Sequence, residues 1–339
     1  MTAYTGIQGQ NILIVSSDPS NPVEGQIWYN STSNLLKGYA NVVTNAWASG
    51  GNMTTPKQDG AGFGTQTAAI GAGGYTIPYT NNSQSYNGTA WTNTPNINTA
   101  RTTRGSGTQT AGLIFGGNAP PADAKQTATE LWNGSSWTSN PTGLNTARGG
   151  VVALGTQTAS LAAGGGNATP SPVGSATESW NGTSWTTVPG TLNEARGNAG
   201  SAGTQTTGLA FGGDPNAGPV GETVATESWN GSSWTTVNSL NTARTGVGGA
   251  GFQTNALAFG GYNDTASIAY TSTESWNGTS WTATSAMATG RGNIMSAGVG
   301  SPTGSSAIAF GGAPVTPPYS SATEEWSGIN LATRTITTS

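Results

Sequence analysis

Few side chains of this sequence could do chemistry, and carboxylates are the most useful among them. The chain has 339 residues, with 14 Asp plus Glu and 10 Lys plus Arg, but no His and no Cys. Catalytic triads with a histidine base, disulfides and imidazole or thiolate metal sites are therefore excluded. We expect no metal and no cofactor, and loop carboxylates remain as candidates for acid–base chemistry.

Most of the charges recur at a fixed spacing. One arginine position repeats every 47 or 48 residues, and a glutamate position repeats with it. In the first unit, Lys57 and Gln84 occupy these two positions. A group repeated in every unit is seldom an asymmetric catalytic site, so we predict structural ion pairs that fix register. The residues concerned are Glu130, Glu178, Glu227, Glu274, Glu324, Arg101, Arg148, Arg196, Arg244 and Arg291.

The elements that position these charges follow from the rest of the repeat. Each unit contains an apolar run that ends in Gly-Gly, a variable segment, and a phrase like the TESWNGTSWT of residues 177–186. The runs are too short for helices, and Asn-Gly predicts a tight hairpin between two strands. We therefore expect an all-β chain. A period of 40–50 residues with four strands per unit predicts a β-propeller, with paired tryptophans buried between blades.

The units also resemble the kelch repeat. The shared features are an arginine that opens the first strand, a Gly-Gly that ends the second, an aromatic residue on the third and a tryptophan on the fourth. Six such units fill residues 57–339. The resemblance implies a kelch-like propeller scaffold and indicates little about activity.

The number of blades depends on residues 1–56. Trp47 lies ten residues before Lys57, as Trp281 lies ten before Arg291. Residues 46–49 then match a fourth strand and residues 35–40 a third, with earlier strands at 27–30 and 11–17. We favour seven blades, residues 1–56 forming an atypical blade. The alternative is six blades at 57–339 with a separate N-terminal β-module for virion attachment.

The segment from Asn21 to Tyr39 resembles short β-modules of phage tail-fibre and other virion structural proteins. No basic and apolar leader opens the chain, and no apolar stretch of about 20 residues could cross a membrane. The formal net charge is −4, so nucleic acid is an unsuitable partner. These features predict a virion location, with other virion proteins as partners and no membrane insertion.

The loops indicate where recognition would occur. In a four-stranded antiparallel blade, the loops after strands two and four emerge on one face of the ring. The loops after strand two vary freely, whereas the other face carries nearly identical turns. Variable loops on a rigid scaffold suit binding. The candidate ligand-binding residues are Tyr79, Asp123, Asp214, Tyr262, Asp264, Tyr270 and Tyr319.

We therefore expect a non-enzymatic virion structural protein, such as a tail-fibre, adhesin or capsid-associated propeller. Its variable face would bind a host-surface glycan, a receptor or a virion protein. One alternative is a carbohydrate-active enzyme, a depolymerase or glycosidase, that uses loop carboxylates such as Asp214 and Asp264. Another alternative is an intracellular kelch interaction adaptor.

Overall fold

The computed structural model describes residues 12–166, 173–215, 221–264, 266–298, 306–314 and 318–336, without the side chains of 40–43 and 329–334. Every regular element in these ranges is a β-strand, so the all-β prediction is confirmed. Over the same ranges there is no helix with the length and apolar character needed to span a membrane. The chain divides into two compact units: unit 1 is Met1–Asn45 with Ser327–Ser339, and unit 2 is Ala46–Trp326.

Five four-stranded antiparallel sheets account for most of unit 2, and we number them blades 1 to 5. Blade 1 consists of β4 (Ala61–Thr65), β5 (Ala68–Ala72), β6 (Ser83–Tyr86) and β7 (Trp91–Thr94). Blade 2 consists of β8 (Arg104–Thr108), β9 (Ala111–Phe115), β12 (Thr129–Trp132) and β13 (Trp137–Asn140). Blade 3 consists of β14 (Val152–Gly155), β15 (Ser160–Ala163), β16 (Thr177–Trp180) and β17 (Trp185–Val188).

Blades 4 and 5 repeat the same plan. Blade 4 consists of β18 (Gly200–Gly203), β19 (Gly208–Phe211), β20 (Thr226–Trp229) and β21 (Trp234–Val237). Blade 5 consists of β22 (Gly248–Phe252), β23 (Asn255–Phe259), β26 (Thr273–Trp276) and β27 (Trp281–Thr284). Two small hairpins lie in variable loops: β10 (Asn118–Ala119) with β11 (Ala124–Lys125), and β24 (Tyr262–Asn263) with β25 (Ile268–Ala269).

The sixth sheet of unit 2 is completed by the N-terminal part of the chain. It belongs to a six-stranded sheet with the order β1-β2-β3-β30-β29-β28. The strands are β1 (Leu13–Val15), β2 (Ile27–Asn30), β3 (Leu35–Ser49), β28 (Met295–Ala297), β29 (Ser306–Phe310) and β30 (Thr323–Thr335). Within unit 2, residues 46–49 of β3 therefore stand as the fourth strand beside 323–326 of β30, and we call this sheet blade 6.

The blades of unit 2 form a closed ring. Their first strands are β4, β8, β14, β18, β22 and β28, and each contacts the next, with β28 in contact with β4. First strands packed in a circle about one axis are the arrangement of a β-propeller. The predicted propeller is thus observed in unit 2.

The favoured count of seven blades is not confirmed. It required residues 35–40 and 46–49 to be the third and fourth strands of one blade, but both ranges lie in the single strand β3. Besides the two small hairpins, the described residues of unit 2 form blades 1 to 5 and blade 6, whose fourth strand comes from residues 46–49. The sequence pattern of a fourth strand is the same whether the strand ends its own blade or completes a distant one. The pattern of residues 46–49 therefore could not give the number of blades.

Indole rings pack between blades, as predicted. In blades 3 and 5, the second tryptophan of the pair lies against the phenylalanine of the preceding blade: Trp185 contacts Phe115, and Trp281 contacts Phe211, with ring centroids 4.7 and 4.9 Å apart. Trp185 and Trp281 are both buried. Since burying a large aromatic ring stabilises by several kcal/mol, these rings supply much of the core of a chain that is only 34% hydrophobic.

Two kinds of hydrogen bond also cross most seams between blades. Trp234 Nε1 donates to Thr177 Oγ1 of the preceding blade at 3.1 Å. The glutamine of the GTQT turn donates in the same direction, as Gln205 Nε2 does to Trp180 O at 2.6 Å. Gln66 Nε2 donates to Trp326 O at 2.8 Å, so the seam between blades 6 and 1 has the same bond.

Unit 1 is a small sheet around one buried tryptophan. Strands β1 and β2 are parallel, whereas β2 and β3 form an antiparallel hairpin. Asp18 accepts hydrogen bonds from Lys37 at 2.7 Å, Asn30 at 2.7 Å and Trp28 Nε1 at 3.1 Å. These bonds lower the pKa of Asp18 to about 2, and the bond from Lys37 has the largest effect. From the C-terminal part, Ile336 N donates to Leu36 O at 2.9 Å.

Candidate functional site

The repeated arginines each contact the glutamate of their own blade. The distance from Arg148 Nη2 to Glu178 Oε1 is 2.7 Å, and that from Arg244 Nη2 to Glu274 Oε1 is 2.9 Å. The other pairs are Arg101–Glu130, Arg196–Glu227 and Arg291–Glu324. All of these side chains are buried. Buried groups that already face a partner are poorly placed to meet a ligand.

Each pair also holds the loop that enters its blade. The second oxygen of Glu178 accepts the backbone N–H of Asn145 at 2.7 Å, three residues before Arg148. Arg148 Nη1 donates to Gly164 O at 2.9 Å and to Ala176 O at 2.6 Å. The ion pair therefore joins the loop before the first strand to the end of the second strand and the start of the third.

Blade 1 replaces the ion pair with a single buried cation. Lys57 Nζ donates to Asn82 O at 2.8 Å and to Gly71 O at 3.1 Å. Gln84 Oε1 accepts the N–H of Thr54 at 3.0 Å, which is the role of the glutamates elsewhere. Burial lowers the pKa of Lys57 to about 7, since desolvation penalises the charged form.

The variable loops start next to the axis of the ring. After each Gly-Gly pair, the backbone bonds to the residue that follows the repeated arginine position. Thus Tyr262 N donates to Thr245 O at 2.7 Å, and Ala313 N donates to Gly292 O at 2.9 Å. The loops after strand two and after strand four therefore share one face of the ring, which we call the variable face.

A ring of residues, partly joined by backbone hydrogen bonds, surrounds the axis on this face. It is formed by the residues two positions after the repeated cation, five of which have positive φ: Asp59, Gly150, Asn198, Gly246 and Asn293. Asn198 N donates to Gly150 O, Gly246 N to Asn198 O, and Asp59 N to Asn293 O, at 2.8 to 3.1 Å. Asp, Asn and Gly tolerate this left-handed conformation best.

Arg104 lies at this ring and departs from the repeat. Its Nη2 is 3.0 Å from Asp59 Oδ1 of blade 1 and 3.4 Å from Asn198 Oδ1 of blade 4. Both Arg104 and Asp59 have one-fifth of their side chains exposed. The repeat in the sequence indicated no role for Arg104, Asp59 or Asn198.

The axial channel below this ring is nearly closed. It has a volume of about 70 Å³ and is lined by first strands of all six blades. Ser201 Oγ donates to Ala153 O, and Ser296 Oγ donates to Gly249 O, both at 2.9 Å. A Cβ added at Gly249 would collide with the carbonyl oxygen of Ser201. The channel has room for a few water molecules. The channel is therefore smaller than the usual small-molecule site.

Three tyrosines of the variable face form a cluster across blades 6 and 1, which we call the tyrosine cluster. Tyr75 packs edge-on against Tyr79 and Tyr319, with ring centroids 5.0 and 5.9 Å apart. Tyr79 Oη donates a short hydrogen bond to Asp123. The structure thus brings together Tyr79, Asp123 and Tyr319 from the sequence prediction. It adds Tyr75, whose place at the start of a variable loop was the available signal.

Tyr262 spans the neighbouring seam, between blades 5 and 6. Its hydroxyl donates to Ala313 O at 2.5 Å. Burial raises the pKa of Tyr262, and the charge of Asp59 adds to the effect. Tyr262 is therefore a neutral bridge between two loops, and its hydroxyl is already bonded to the protein.

The remaining predicted residues lie outside the tyrosine cluster. Asp264 of blade 5 donates its backbone N–H to the carboxylate of Glu222 of blade 4, which sequence reasoning missed. Burial raises the pKa of the Asp264 carboxyl, and the negative charge of Glu222 raises it further. Asp214 N donates to Gly197 O at 2.9 Å, and Tyr270 N to Gly261 O at 2.8 Å. Over the described ranges, no three acidic residues group as a metal site would need.

Comparison with known proteins identifies the fold. No protein-family model matches the sequence, and no curated protein matches it. Among solved structures, the structure of YjhT, a β-propeller-like protein, superposes with a TM-score of 0.66 at 12% identity. The match covers 83% of this chain and 99% of that one. At this identity the likeness concerns fold alone, and it agrees that this chain contains a β-propeller.

Proposed function

We propose that this protein is a non-enzymatic virion structural protein, and that its variable face recognises a host-surface glycan. The supporting observation is the contrast between the two faces. The tyrosine cluster and the Arg104–Asp59 pair gather non-repeating side chains on the variable face, whereas the opposite face consists of repeated turns. Rigid scaffolds commonly carry function on such variable loops.

The construction of the scaffold also suits recognition rather than catalysis. The repeated arginines and glutamates already form buried ion pairs with each other, and the axial channel is nearly closed. Tyrosine offers large contact area and a hydroxyl at small entropic cost, which suits the apolar faces and hydroxyl edges of sugars. We infer a kelch-like repeat from the order of Arg, Gly-Gly and tryptophan in each unit.

The virion role is supported by the segment from Asn21 to Tyr39, which resembles modules of phage tail-fibre proteins. Its test is co-purification: the chain should be found by mass spectrometry in virus particles purified on a density gradient. Absence from intact particles, with presence in the soluble lysate, would contradict the virion role and favour the intracellular adaptor.

Glycan recognition is tested by binding of the purified chain to a printed glycan array at low and high salt. We expect binding that changes little with salt, because the proposed contacts are made by uncharged tyrosine rings and hydroxyls. Binding that disappears at high salt would mean that charge attraction, not the tyrosine surface, is responsible.

A second candidate function is a carbohydrate-active enzyme, and it rests on Asp264 and Glu222. Two neighbouring carboxylates, one with a raised pKa, are the groups that glycoside hydrolysis uses. Release of reducing sugar from a polysaccharide, lost in both Asp264→Asn and Glu222→Gln, would favour this candidate. No release from polysaccharides that the array shows to be bound would favour a non-enzymatic role.

A further inference from the structure

We propose that the seam between blades 6 and 1 holds a subsite for one uncharged hexopyranose ring. The subsite is a cavity on the variable face, lined by Thr55, Pro56, Thr76, Ile77, Pro318 and Tyr319. This inference rests on the proposed recognition of glycans and specifies where and how one sugar unit binds.

The size and walls of the cavity select the class of ligand. Its volume of about 370 Å³ lies at the lower end of the range for small-molecule sites. Ile77 is 68% exposed, a high value for a large apolar side chain of a folded unit. None of the lining residues carries a charge, so a phosphorylated or carboxylated sugar would lose its hydration without gaining a counter-ion.

The rim supplies hydrogen-bonding groups for a sugar. Within the described ranges, the hydroxyls of Thr55 and Tyr319 make no hydrogen bond to the protein, whereas Thr76 Oγ1 donates to Pro78 O at 2.7 Å. Burial raises the pKa of the Tyr319 hydroxyl, with Tyr75 and Asp59 adding to it, so this hydroxyl stays protonated and can donate. A pyranose offers a C–H face for Ile77 and Tyr319 and hydroxyls for the rim.

The wall of the subsite is also held in place. Tyr319 packs on Tyr75, which packs on Tyr79, and Tyr79 is bonded to Asp123 of blade 2. The backbone next to Tyr319 is fixed as well, since Ser320 N donates to Gly312 O at 2.8 Å. Binding in a preformed site avoids the entropic cost of ordering loops.

The test uses the full chain and three methyl glycosides, those of glucose, galactose and mannose, titrated while protein NMR signals are followed. We expect saturable binding of at least one glycoside, weakened about tenfold by Ile77→Ala and by Tyr319→Ala. Tyr319→Phe removes only the hydroxyl and should weaken binding by about two- to fivefold. The matched control is Ile268→Ala, an exposed isoleucine in the blade 5 loop, which should change affinity by less than about twofold.

Thermal unfolding of each variant separates lost folding from lost binding. Glycoside affinity that is equal in wild type, Ile77→Ala and Tyr319→Ala would overturn the subsite. Binding of a proline-rich peptide in place of all three glycosides, lost in Ile77→Ala, would overturn the sugar assignment. If no glycoside binds but the glycan array is positive, the subsite is wrong and the recognition face stands. If both are negative, glycan recognition falls as well.

Discussion

Trp47 Nε1 donates a hydrogen bond of 2.9 Å to Thr273 Oγ1, and the two residues are 226 positions apart in the chain. Every other bond of this type joins a tryptophan to a threonine of the preceding blade, as Trp281 Nε1 bonds to Thr226 Oγ1 at 3.0 Å. Residues 46–49 of β3 thus form the fourth strand of blade 6. In blades 1 to 5, the fourth strand comes from the same repeat as the other three. We expect this pairing of distant parts of the chain in one blade to stabilise the closed ring.

The first prediction concerns this closing bond. Trp47→Phe keeps an aromatic ring but removes the donor, so Thr273 Oγ1 loses its partner. We expect the free energy of unfolding to fall by about 1 kcal/mol, which urea denaturation would measure. Trp281→Phe is the matched change at an internal seam and should cost a similar amount. A loss in Trp281→Phe alone would show that the N-terminal strand contributes little to closure.

The second prediction is a stabilising change. In blade 1 a serine, Ser83, stands where other blades have threonine, and both Ser83 Oγ and Trp137 Nε1 of blade 2 lack a partner within the described residues. Ser83→Thr restricts the side-chain rotamer and should direct its oxygen to the indole, as in the other blades. We expect a gain of about 1 kcal/mol in unfolding free energy.

The control for this prediction is Ser83→Ala. Because the hydroxyl of Ser83 already lacks a partner, its removal should leave stability nearly unchanged. A clear loss of stability in Ser83→Ala would mean that the serine hydroxyl is bonded in solution, and the expected gain would then not appear.

The third prediction is a pH dependence caused by Lys57. The pKa of Lys57 is about 7 in the folded protein, against an ordinary value of 10.5 for lysine. Between pH 7 and 10.5, Lys57 therefore binds more protons in the unfolded state than in the folded state. Stability therefore rises with pH from about 7 towards 9, by at most about 1.4 kcal/mol per pH unit. Below pH 7 both states are protonated, and this contribution stays at its minimum.

Lys57→Met should remove that rise, since methionine fills a similar volume and cannot ionise. The measurement is urea denaturation at pH 6, 7, 8 and 9 for both proteins. If the wild-type curve is flat over this window, or if the variant keeps the same slope, Lys57 is not the group responsible.

The fourth prediction concerns the buried ion pairs. Arg148→Ala leaves the Glu178 carboxylate buried without its cation, so we expect a loss of about 3 to 5 kcal/mol. The double change Arg148→Met with Glu178→Gln should be less destabilised than Arg148→Ala, because no unpaired charge remains. Loss of glycan binding in Arg148→Ala at an unchanged melting temperature would instead place this pair in the recognition site.

The sequence by itself determined the elements that repeat. The Asn-Gly turns, the tryptophan pairs and the alternation of arginine with glutamate recur at one period, so a single unit sufficed to predict four strands, buried rings and the residues to be paired. Such an inference is reliable in a repeat protein, because each unit packs against a neighbour of nearly the same sequence and so makes nearly the same contacts. The partners of Arg148 and Arg244 are the glutamates that the spacing indicated.

Only the tertiary structure decided what happens once in the chain. Residues 46–49 have the pattern of a fourth strand, but the strand beside them is set by closure of the ring, which local sequence does not encode. Tyr75, Tyr79 and Tyr319 meet because blades 1 and 6 are neighbours, although their loops are more than 230 residues apart in sequence. A contact that occurs once in the chain produces no periodic pattern in the sequence. Whether it forms depends on how the whole ring places residues that are far apart in the chain.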